Sequence, residues 1–576
     1  MLLKNLKKTF YVLNYKEKIK FILLSFLTLI VTFFELISLG SVPIYISLIF
    51  DPSLINMYLK KVDLNNIFIF NDVEYFIYYS SFFLVSVFLL KNIFISISYY
   101  CNLNFINNLR LRFGKIIYHN NIHSDYLNLI NRSTSEIIRN HNEIYRFCGL
   151  IGHYQRLLLE IILLIFLLII TFNVYFEVTI IFFGLFSLFF IIYFTSIKQW
   201  VNKAGQKIQV YKRLELKILE NTFSGIKEIK FNSKEFFFSK LFNDNYFKTN
   251  RVIFLQDLIN KLPKISLEML AIISITGISL FFYNSELSSV AKISNLSFLT
   301  VVAIRLIPAF TGISVATISI KYVEPSIDII VRDMKSSSYY SNLDNKKIES
   351  YTKKIKEIKL ENLTFNYGLK NERLFENINL SIVENDKIGI HGTSGSGKTT
   401  LINLLTGLIP PTNGNVYFNE INIHNKTNIF YNKISYITQD TFLFDDTIEN
   451  NIIFYGNNID NNKLNKIVKI CQLKNFIDNN PLGLQQNIGE KGLRISGGQK
   501  QRIGIARALY KDFDILILDE ATSALNKDYE RSIIRSLHEN FKDKIIIIIS
   551  HDKENLLNCN KIINIENNQI NIEDNL

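Results

Sequence analysis

The chain has 576 residues, which is too long for one hydrophobic core, because cores stop growing at roughly 250 to 300 residues. Hydrophobic residues make up 48% of it and the formal net charge is +13, but the lysines accompany abundant isoleucine and asparagine, a bias that AT-rich coding also produces, so we expect no nucleic-acid partner. The four cysteines are scattered without the spacing of disulfide or zinc sites.

The first twenty residues are basic and precede a long apolar run. Their lysines are typical of a cytoplasmic start under the positive-inside rule. The apolar run is too long for the core of a signal peptide and has no small-residue cleavage site after it. We therefore predict an uncleaved membrane span.

Six stretches contain the roughly 20 mainly apolar residues that a membrane span needs. They are residues 21–49, 75–100, 155–173, 179–198, 265–283 and 294–320. An even number of spans places both termini on one side. The long basic segments 101–154 and 199–262 are expected in the cytoplasm. Between the first two spans, residues 51–72 are predicted to form a short outer helix or an unstructured loop.

The two long cytoplasmic segments show a helical pattern. Apolar residues recur at three- and four-residue spacing in 211–226 and 236–247. The spans are therefore predicted to continue as helices beyond the bilayer, where they would carry force from a cytoplasmic motor. Solvated amphipathic tails are the alternative interpretation.

Two charged residues lie inside predicted spans, where a charge costs at least about 2.5 kcal/mol and usually faces a cavity or a partner. Glu35 lies in the first span and Arg305 in the sixth, just before Pro308. One hypothesis is that Arg305 lines a cavity and meets an anionic substrate, and a guanidinium is well matched to phosphate. The other is a structural ion pair, for which Glu35 is the candidate partner.

A polar stretch over residues 333–356 separates two kinds of sequence. We predict an all-α membrane domain with six spans over 1–332, a linker over 333–356, and an α/β nucleotide-binding domain over 357–576. Strand-like runs at 355–360 and 387–390 then lead to a glycine-rich turn and a helix. The turn and the start of the helix read Gly392, Thr393, Ser394, Gly395, Ser396, Gly397, Lys398, Thr399 and Thr400.

This turn has the P-loop pattern G-x-x-x-x-G-K-[ST]. Its glycines allow backbone N–H groups to surround phosphates, and the helix presents its positive end. Lys398 would reach the β and γ phosphates, and Thr399 would give a hydroxyl ligand to Mg²⁺. The motif predicts binding of a nucleoside triphosphate.

A second motif identifies the kind of machine. Ser496, Gly497, Gly498 and Gln499 follow Ile495, so the segment resembles the LSGGQ signature of the ATP-binding cassette (ABC) family, with Ile for Leu. The resemblance implies ATP and Mg²⁺ as cofactors. It also implies that this segment closes on the nucleotide of a partner cassette, so two chains would be needed. A homodimer is the simplest arrangement, and a heterodimer is the alternative.

The resemblance assigns roles to further residues. Tyr367 would stack on adenine, although a strand-edge aromatic is the alternative. Gln439 resembles the glutamine that contacts Mg²⁺ and the attacking water. Asp519 and Glu520 end an apolar strand, where Asp519 would hold Mg²⁺ and Glu520 would polarise the water. His551 resembles the switch histidine that contacts the γ phosphate.

Two loops of the cassette add details to the resemblance. Residues 488–492 resemble the loop before the signature that touches coupling helices in exporters. Family members usually have Asp where this chain has Asn526. A helix cap is the simpler interpretation of Asn526, and altered communication between two ATP sites is the other.

The membrane half resembles that of type IV exporters, and most of all PglK-type flippases of lipid-linked oligosaccharides. Glu35 ahead of Pro43, and Arg305 with Leu306 and Pro308, carry this resemblance. It implies that a polyprenyl-diphosphate sugar is flipped from the inner to the outer leaflet of a bacterial inner membrane, with both termini and the cassette in the cytoplasm. Export of lipid A or another amphiphile is the first alternative, and an ATP-gated regulator or channel is the second.

Overall fold

The computed structural model describes residues 2–50, 73–174, 176–283, 289–335, 351–367, 374–424, 427–456, 458–566 and 569–574. The predicted outer segment 51–72 and residues 336–350 of the predicted linker lie outside these ranges. The chain divides into two compact units. One consists of Met1–Ser124 with Leu129–Asn342, and the other of Asp125–Asn128 with Leu343–Leu576.

The described part of the first unit is helical. Its helices, with one short helix at 126–130 included in chain order, are α1 Leu2–Val12, α2 Tyr15–Phe50, α3 Val73–Ile122, α4 Tyr126–Ile130, α5 Thr134–Val174, α6 Phe176–Ser224, α7 Ile226–Phe231, α8 Glu235–Tyr283, α9 Ser289–Tyr322 and α10 Glu324–Lys335. Helices α3, α6 and α8 have 50, 49 and 49 residues. Each therefore has a contour of about 75 Å, more than twice the ~30 Å hydrocarbon core of a bilayer. The predicted helical continuation of the spans is present.

The long helices agree with the predicted spans. Within the described residues, five helices are long and apolar enough to cross a membrane, namely α2, α3, α5, α8 and α9. Helix α6 gives a sixth span if its two parts, bent by 42° between Ile197 and Gln199, are taken together.

Apolar side chains of this unit pack inward in two clusters and also cover its outside. One cluster lies among the spans and includes Phe186 and Leu306. The other includes Phe113 and Phe147, whose rings meet edge to face at 5.4 Å. On α3, Phe82 is 73% exposed, which in a soluble protein would be costly but which suits contact with lipid.

The second unit is built on two sheets. Its strands are β1 Glu357–Phe365, β2 Phe375–Val383, β3 Lys387–Gly392, β4 Asn413–Phe418, β5 Ile421–Asn422, β6 Ile434–Ile437, β7 Ile515–Asp519, β8 Ile545–Ile549, β9 Lys561–Glu566 and β10 Gln569–Asp574. A four-stranded antiparallel sheet has the order β2-β1-β4-β5. A six-stranded sheet has the order β10-β9-β3-β8-β7-β6 and is parallel from β9 to β6.

Helices lie between these strands. They are α11 Lys398–Leu405, α12 Thr427–Phe430, α13 Ile448–Ile453, α14 Asn461–Ile470, α15 Lys474–Asp478, α16 Gly497–Tyr510 and α17 Lys527–Asn540. Strand β8 is a run of five isoleucines, all buried, which is typical of a central parallel strand covered on both faces. The predicted fold class, a helical membrane domain and an α/β nucleotide-binding domain, is confirmed.

The register of the parallel strands brings their carboxyl ends to one edge. Ile549 of β8 pairs with both Ile390 of β3 and Asp519 of β7, and Leu518 pairs with Ile437 of β6. The segments that follow these four strands therefore begin side by side. Ligands of open parallel sheets bind at such an edge.

Candidate functional site

The P-loop runs from the end of β3 to the start of α11 and depends on two glycines. Gly395 has φ +83° and Gly397 has φ +100°, both in the left-handed region that favours glycine. A Cβ at Gly397 would also lie 2.9 Å from Cζ of Phe375. The loop therefore tolerates no larger residue at Gly397 without a shift, and it begins α11 with the free N–H groups of a helix N-terminus.

Polar groups of the P-loop are poised for an anion. The buried Lys398 ammonium donates hydrogen bonds to the carbonyl oxygens of Gly392 and Thr393, at 2.9 and 3.0 Å. The hydroxyl of Ser396 is buried and has no hydrogen-bond partner in the described part of the chain. A phosphate group would give the Ser396 hydroxyl an acceptor and the Lys398 ammonium a further one, so the loop fits the ligand that its sequence predicts.

Asp519, at the end of β7, is hydrogen-bonded to two hydroxyl groups. Thr399 Oγ1 donates to its Oδ2 at 3.2 Å, and the Tyr436 hydroxyl donates to the same oxygen at 2.9 Å. Burial raises the pKa of Asp519 above its ordinary value, while the two hydrogen bonds oppose that rise. Burial also raises the pKa of Tyr436, and the neighbouring Asp519 adds to this, so the phenol remains a donor.

These oxygen groups match the chemistry of Mg²⁺. The ion prefers hard oxygen ligands and is usually held by one or two carboxylates together with phosphate and water. Thr399 and Asp519 supply a hydroxyl and a carboxylate within 3.2 Å of each other. Within the described residues no cluster of three or more His, Cys, Asp or Glu side chains could hold a metal by itself. The donor set fits an ion that shares its ligands with a nucleotide.

Glu520 follows Asp519 and is held between the two other predicted catalytic residues. Gln439 Nε2 donates to its Oε2 at 2.6 Å, and His551 Nε2 lies 2.8 Å from its Oε1. Glu520 itself has φ +49°, a strained conformation for a residue with a side chain. The side chains of all three predicted catalytic residues therefore meet at this edge of the sheet.

Tyr367 lies beside the P-loop helix with an accessible ring. Its hydroxyl is 3.1 Å from Thr400 Oγ1, and its ring meets that of Phe365 edge to face at 4.8 Å. The side chain is 51% exposed. Tyr367 is therefore partly accessible to a ligand beside the P-loop, and its stacking on adenine stays a prediction.

The signature segment forms a capping box at the start of α16. Ser496 Oγ accepts from the backbone N–H of Gln499, whose side-chain oxygen accepts from the N–H of Ser496. Ser496 and Gly497 are exposed. A Cβ added at Gly498 would lie 3.3 Å from the carbonyl oxygen of Ala524. The exposed end of this helix is accessible to a ligand on another molecule.

The two other predicted loops have regular local structure. Asn526 is the N-cap of α17, and its side chain accepts a hydrogen bond from the N–H of Asp528 at 3.1 Å. The simpler interpretation of Asn526, a helix cap, is therefore satisfied. Residues 488–492 form a tight turn in which Gly489 and Gly492 both have φ +74°.

In the membrane unit, Arg305 binds two carboxylates from two other helices. Its Nε and Nη2 atoms lie 2.8 and 3.1 Å from the two oxygens of Glu35 on α2, and Nη2 also donates to Glu160 on α5 at 3.3 Å. The side chains are only 14%, 14% and 9% exposed. A Cβ at Gly312 would lie 2.8 Å from Glu160, so this glycine makes room for the carboxylate. The predicted ion pair is present as a triad.

Glu160 and Tyr436 are the two residues that the sequence analysis missed. Glu160 could have been found, because it is an acidic residue inside the predicted span 155–173, and the reasoning that selected Glu35 applies to it equally. Tyr436 carried no comparable signal, since an aromatic residue in a buried strand is ordinary.

The chain is similar to known transporters in sequence and in fold. A profile of the ABC transporter family matches residues 375–523. The chain is 34% identical over 222 residues to an ATP-dependent lipid A-core flippase of Ralstonia nicotianae, and 36% identical over 214 residues to one of Desulfotalea psychrophila. It is 36% identical over 219 residues to a probable ABC transporter ATP-binding/permease protein of Haemophilus influenzae.

These sequence matches span little more than a third of each chain. They cover 37% of this chain and 37% of each flippase, and 38% of this chain and 39% of the Haemophilus protein. The fold extends further. A bacterial Atm1-family ABC exporter with ATP bound matches 97% of this chain and 96% of its own, with a TM-score of 0.72 and 17% sequence identity.

Proposed function

We propose that the C-terminal unit is an ABC transporter ATP-binding domain and that the protein, whose fold is similar to that of an ABC exporter, couples ATP hydrolysis to the flipping or export of a lipid. The observation that carries the proposal is the set of catalytic groups at one sheet edge. Glu520 lies between Gln439 and His551, next to the Asp519 carboxylate that Thr399 contacts.

Each residue has a defined part in the proposed hydrolysis. The P-loop N–H groups and Lys398 bind the phosphates, and Tyr367 stacks on adenine. Thr399, Asp519 and Gln439 would hold Mg²⁺, which when bound neutralises charge on the phosphates. Glu520 accepts a proton from the attacking water. Gln439 and His551 orient that carboxylate through their contacts with its two oxygens, and His551 would also contact the γ phosphate.

The active unit in this proposal is a homodimer. Ser496 and Gly497 are exposed and hold a helix N-terminus open to an anion, which supports their contact with the nucleotide of a second copy. The tip around α7 gives further support, since Phe231 is 89% exposed and Phe236 82%. An apolar tip of this kind on a cytoplasmic extension requires a partner surface.

The second unit has an apolar cavity. Its volume is about 710 Å³, and Phe442, Phe444 and Phe454 are among the residues that line it. A cavity of this size and lining suits apolar side chains.

The cargo in this proposal is an amphiphile with a phosphate-bearing headgroup. The names of the two flippases support a lipid, and the PglK-type pattern of Arg305, Leu306 and Pro308 favours a polyprenyl-diphosphate oligosaccharide moved from the inner to the outer leaflet. The lipid A-core relatives favour lipid A as the second candidate. The proposed location is a bacterial inner membrane, with the cassette and both termini in the cytoplasm.

The test of the proposal is lipid translocation in vesicles that contain the purified full-length chain. ATP with Mg²⁺ is expected to move a fluorescent diphosphate-linked lipid between leaflets, as measured by loss of its accessibility to a membrane-impermeant quencher. A non-hydrolysable ATP analogue should support no repeated movement. Hydrolysis of ATP without translocation of any phosphate-bearing lipid in the panel, including lipid A, would contradict the assigned cargo.

Arg305 is expected to set the preference for phosphate. Glu35 and Glu160 occupy Nε and Nη2 of the guanidinium, so these carboxylates compete with a phosphate for Arg305. Arg305→Ala combined with Glu35→Gln and Glu160→Gln removes the guanidinium and leaves neither carboxylate charged and unpaired. We expect it to raise the concentration of diphosphate lipid that half-stimulates ATP hydrolysis about tenfold, the effect of one lost charge-assisted hydrogen bond.

Glu160→Gln is the matched variant, because it keeps the guanidinium and removes a competing charge. We expect it to leave that concentration unchanged or to lower it. Equal stimulation of the Arg305→Ala/Glu35→Gln/Glu160→Gln variant and of the native chain, across diphosphate and monophosphate lipids, would contradict a role of Arg305 in phosphate binding. The triad would then be a structural link between helices.

A further inference from the structure

The hydroxyl of Tyr436 has a position that packing alone does not require. The residue lies on β6, where it pairs with Ile517 of β7. Its ring packs against the hydrophobic cluster of the second unit that contains Ile517. A phenylalanine would provide the same packing. The hydroxyl extends past Ile517 to Asp519, which is two residues further on and therefore on the same face of the sheet.

The bond that this hydroxyl makes restricts one oxygen of a functional carboxylate. Asp519 Oδ2 accepts from Tyr436 at 2.9 Å and from Thr399 at 3.2 Å. Two donors on one oxygen fix the rotation of the carboxylate about its last bond. Thr399, whose hydroxyl is also a predicted Mg²⁺ ligand, lies in the first turn of α11, whereas Tyr436 lies on β6 and has no predicted contact with the ion. Of the two donors, Tyr436 is therefore the one that can hold Asp519 while Thr399 binds the ion.

We propose that Tyr436 is a positioning residue for the metal site: its hydroxyl holds Asp519 Oδ2 and so fixes the orientation in which this carboxylate meets Mg²⁺. The inference rests on the proposed ATP and Mg²⁺ chemistry. It adds a residue from β6 to a site that the motifs place on the P-loop, β7 and the segments after β6 and β8. Through this hydrogen bond, β6, the strand before Gln439, also contacts the Asp519 carboxylate directly.

The test measures how strongly Mg²⁺ and nucleotide assist each other in binding. The full-length chain carries Glu520→Gln to prevent turnover, and a fluorescent trinitrophenyl-ATP is titrated in EDTA and then at increasing Mg²⁺. In EDTA, adding Tyr436→Phe should leave the dissociation constant of the nucleotide unchanged, because the hydroxyl does not contact the P-loop. The Mg²⁺ concentration that half-saturates the metal-dependent change should rise about tenfold, as expected for a lost hydrogen bond to a charged group.

Tyr510→Phe is the matched control. Its hydroxyl accepts a hydrogen bond from the N–H of Asp460 at 2.9 Å, so this variant also removes a bonded phenol oxygen from the second unit, but away from the sheet edge. It should behave like the parent in both titrations. Equal half-saturating Mg²⁺ for Tyr436→Phe and the parent would overturn the proposal. Weakened binding in EDTA would also overturn it, because it would assign the hydroxyl a structural role.

The titrations distinguish an error in the proposed metal chemistry from an error in the role of Tyr436. If the parent chain binds nucleotide without any effect of Mg²⁺, the proposed metal chemistry is wrong. If the parent responds to Mg²⁺ and Tyr436→Phe responds at the same concentration, only the role of Tyr436 is wrong.

Discussion

Glu520→Gln is expected to abolish ATP turnover while the chain still binds ATP. The substitution keeps the shape of the side chain and removes the group that accepts the proton of the attacking water. General-base catalysis contributes about 10² to 10⁴ in rate, so hydrolysis should fall by at least about a hundredfold. Phosphate release by purified protein in lipid vesicles measures the rate, and equilibrium binding of a fluorescent nucleotide measures the affinity.

A surface glutamate provides the control for this variant. Glu539 lies on α17 in an exposed ion pair with Arg535, with 2.9 Å between charged atoms, so Glu539→Gln makes the same chemical change away from the site. It should hydrolyse ATP at the native rate. A Glu520→Gln chain that retained more than about a tenth of native turnover would show that another group takes the proton. Absence of hydrolysis by the native chain would contradict the transport proposal itself and favour the regulator alternative.

The ATP site was predictable because each of its parts is a local pattern attached to the end of a strand. The P-loop pattern requires glycines where the chain takes positive φ, and Gly395 and Gly397 do so. The apolar runs before Asp519 and His551 are both buried parallel strands. Once two strands are parallel and adjacent, the residues after them meet at one edge. Sequence order and strand type thus determine the neighbours of Glu520.

The membrane site was only partly predictable, because helix packing is not encoded in a local pattern. Hydropathy located the spans, and the cost of a buried charge selected Glu35 and Arg305. Nothing local specified that α5 would approach α9 closely enough for Glu160 to reach the same guanidinium. That approach depends on Gly312, one of several glycines in apolar helices. Tyr436 was missed for a similar reason, since its partner Asp519 is 83 residues away in the chain.

Two chains that are each inactive are expected to regain ATP hydrolysis when they are combined. One carries Lys398→Ala, which removes a phosphate contact of the P-loop. The other carries Gly497→Asp, which places a carboxylate at the signature. If each ATP site is formed by the P-loop of one copy and the signature of the other, both variants are inactive as homodimers. In a mixed dimer one site carries both changes, and the second site carries neither.

The expected size of the recovery follows from the pairing. Random assortment of equal amounts makes half of the dimers mixed, and each has one intact site of two, so the mixture should reach about a quarter of native turnover if the sites act independently. Co-expression with two different affinity tags, followed by purification on both, isolates mixed dimers and should bring turnover to about half. Strict coupling of the two sites would lower both values equally, without changing their ratio.

The result is informative only if Gly497→Asp loses ATP hydrolysis because of its added charge, and not because the chain misfolds. A Cβ at Gly497 meets only the Ala524 Cβ, at the ordinary contact distance of 3.9 Å. Aspartate is also compatible with the first turn of a helix. Gly497→Asn has nearly the same shape without the charge, so it should retain more turnover than Gly497→Asp. If doubly purified mixed dimers stayed inactive while both variants remained folded, the signature would act within its own chain. The homodimer with shared ATP sites would then be wrong.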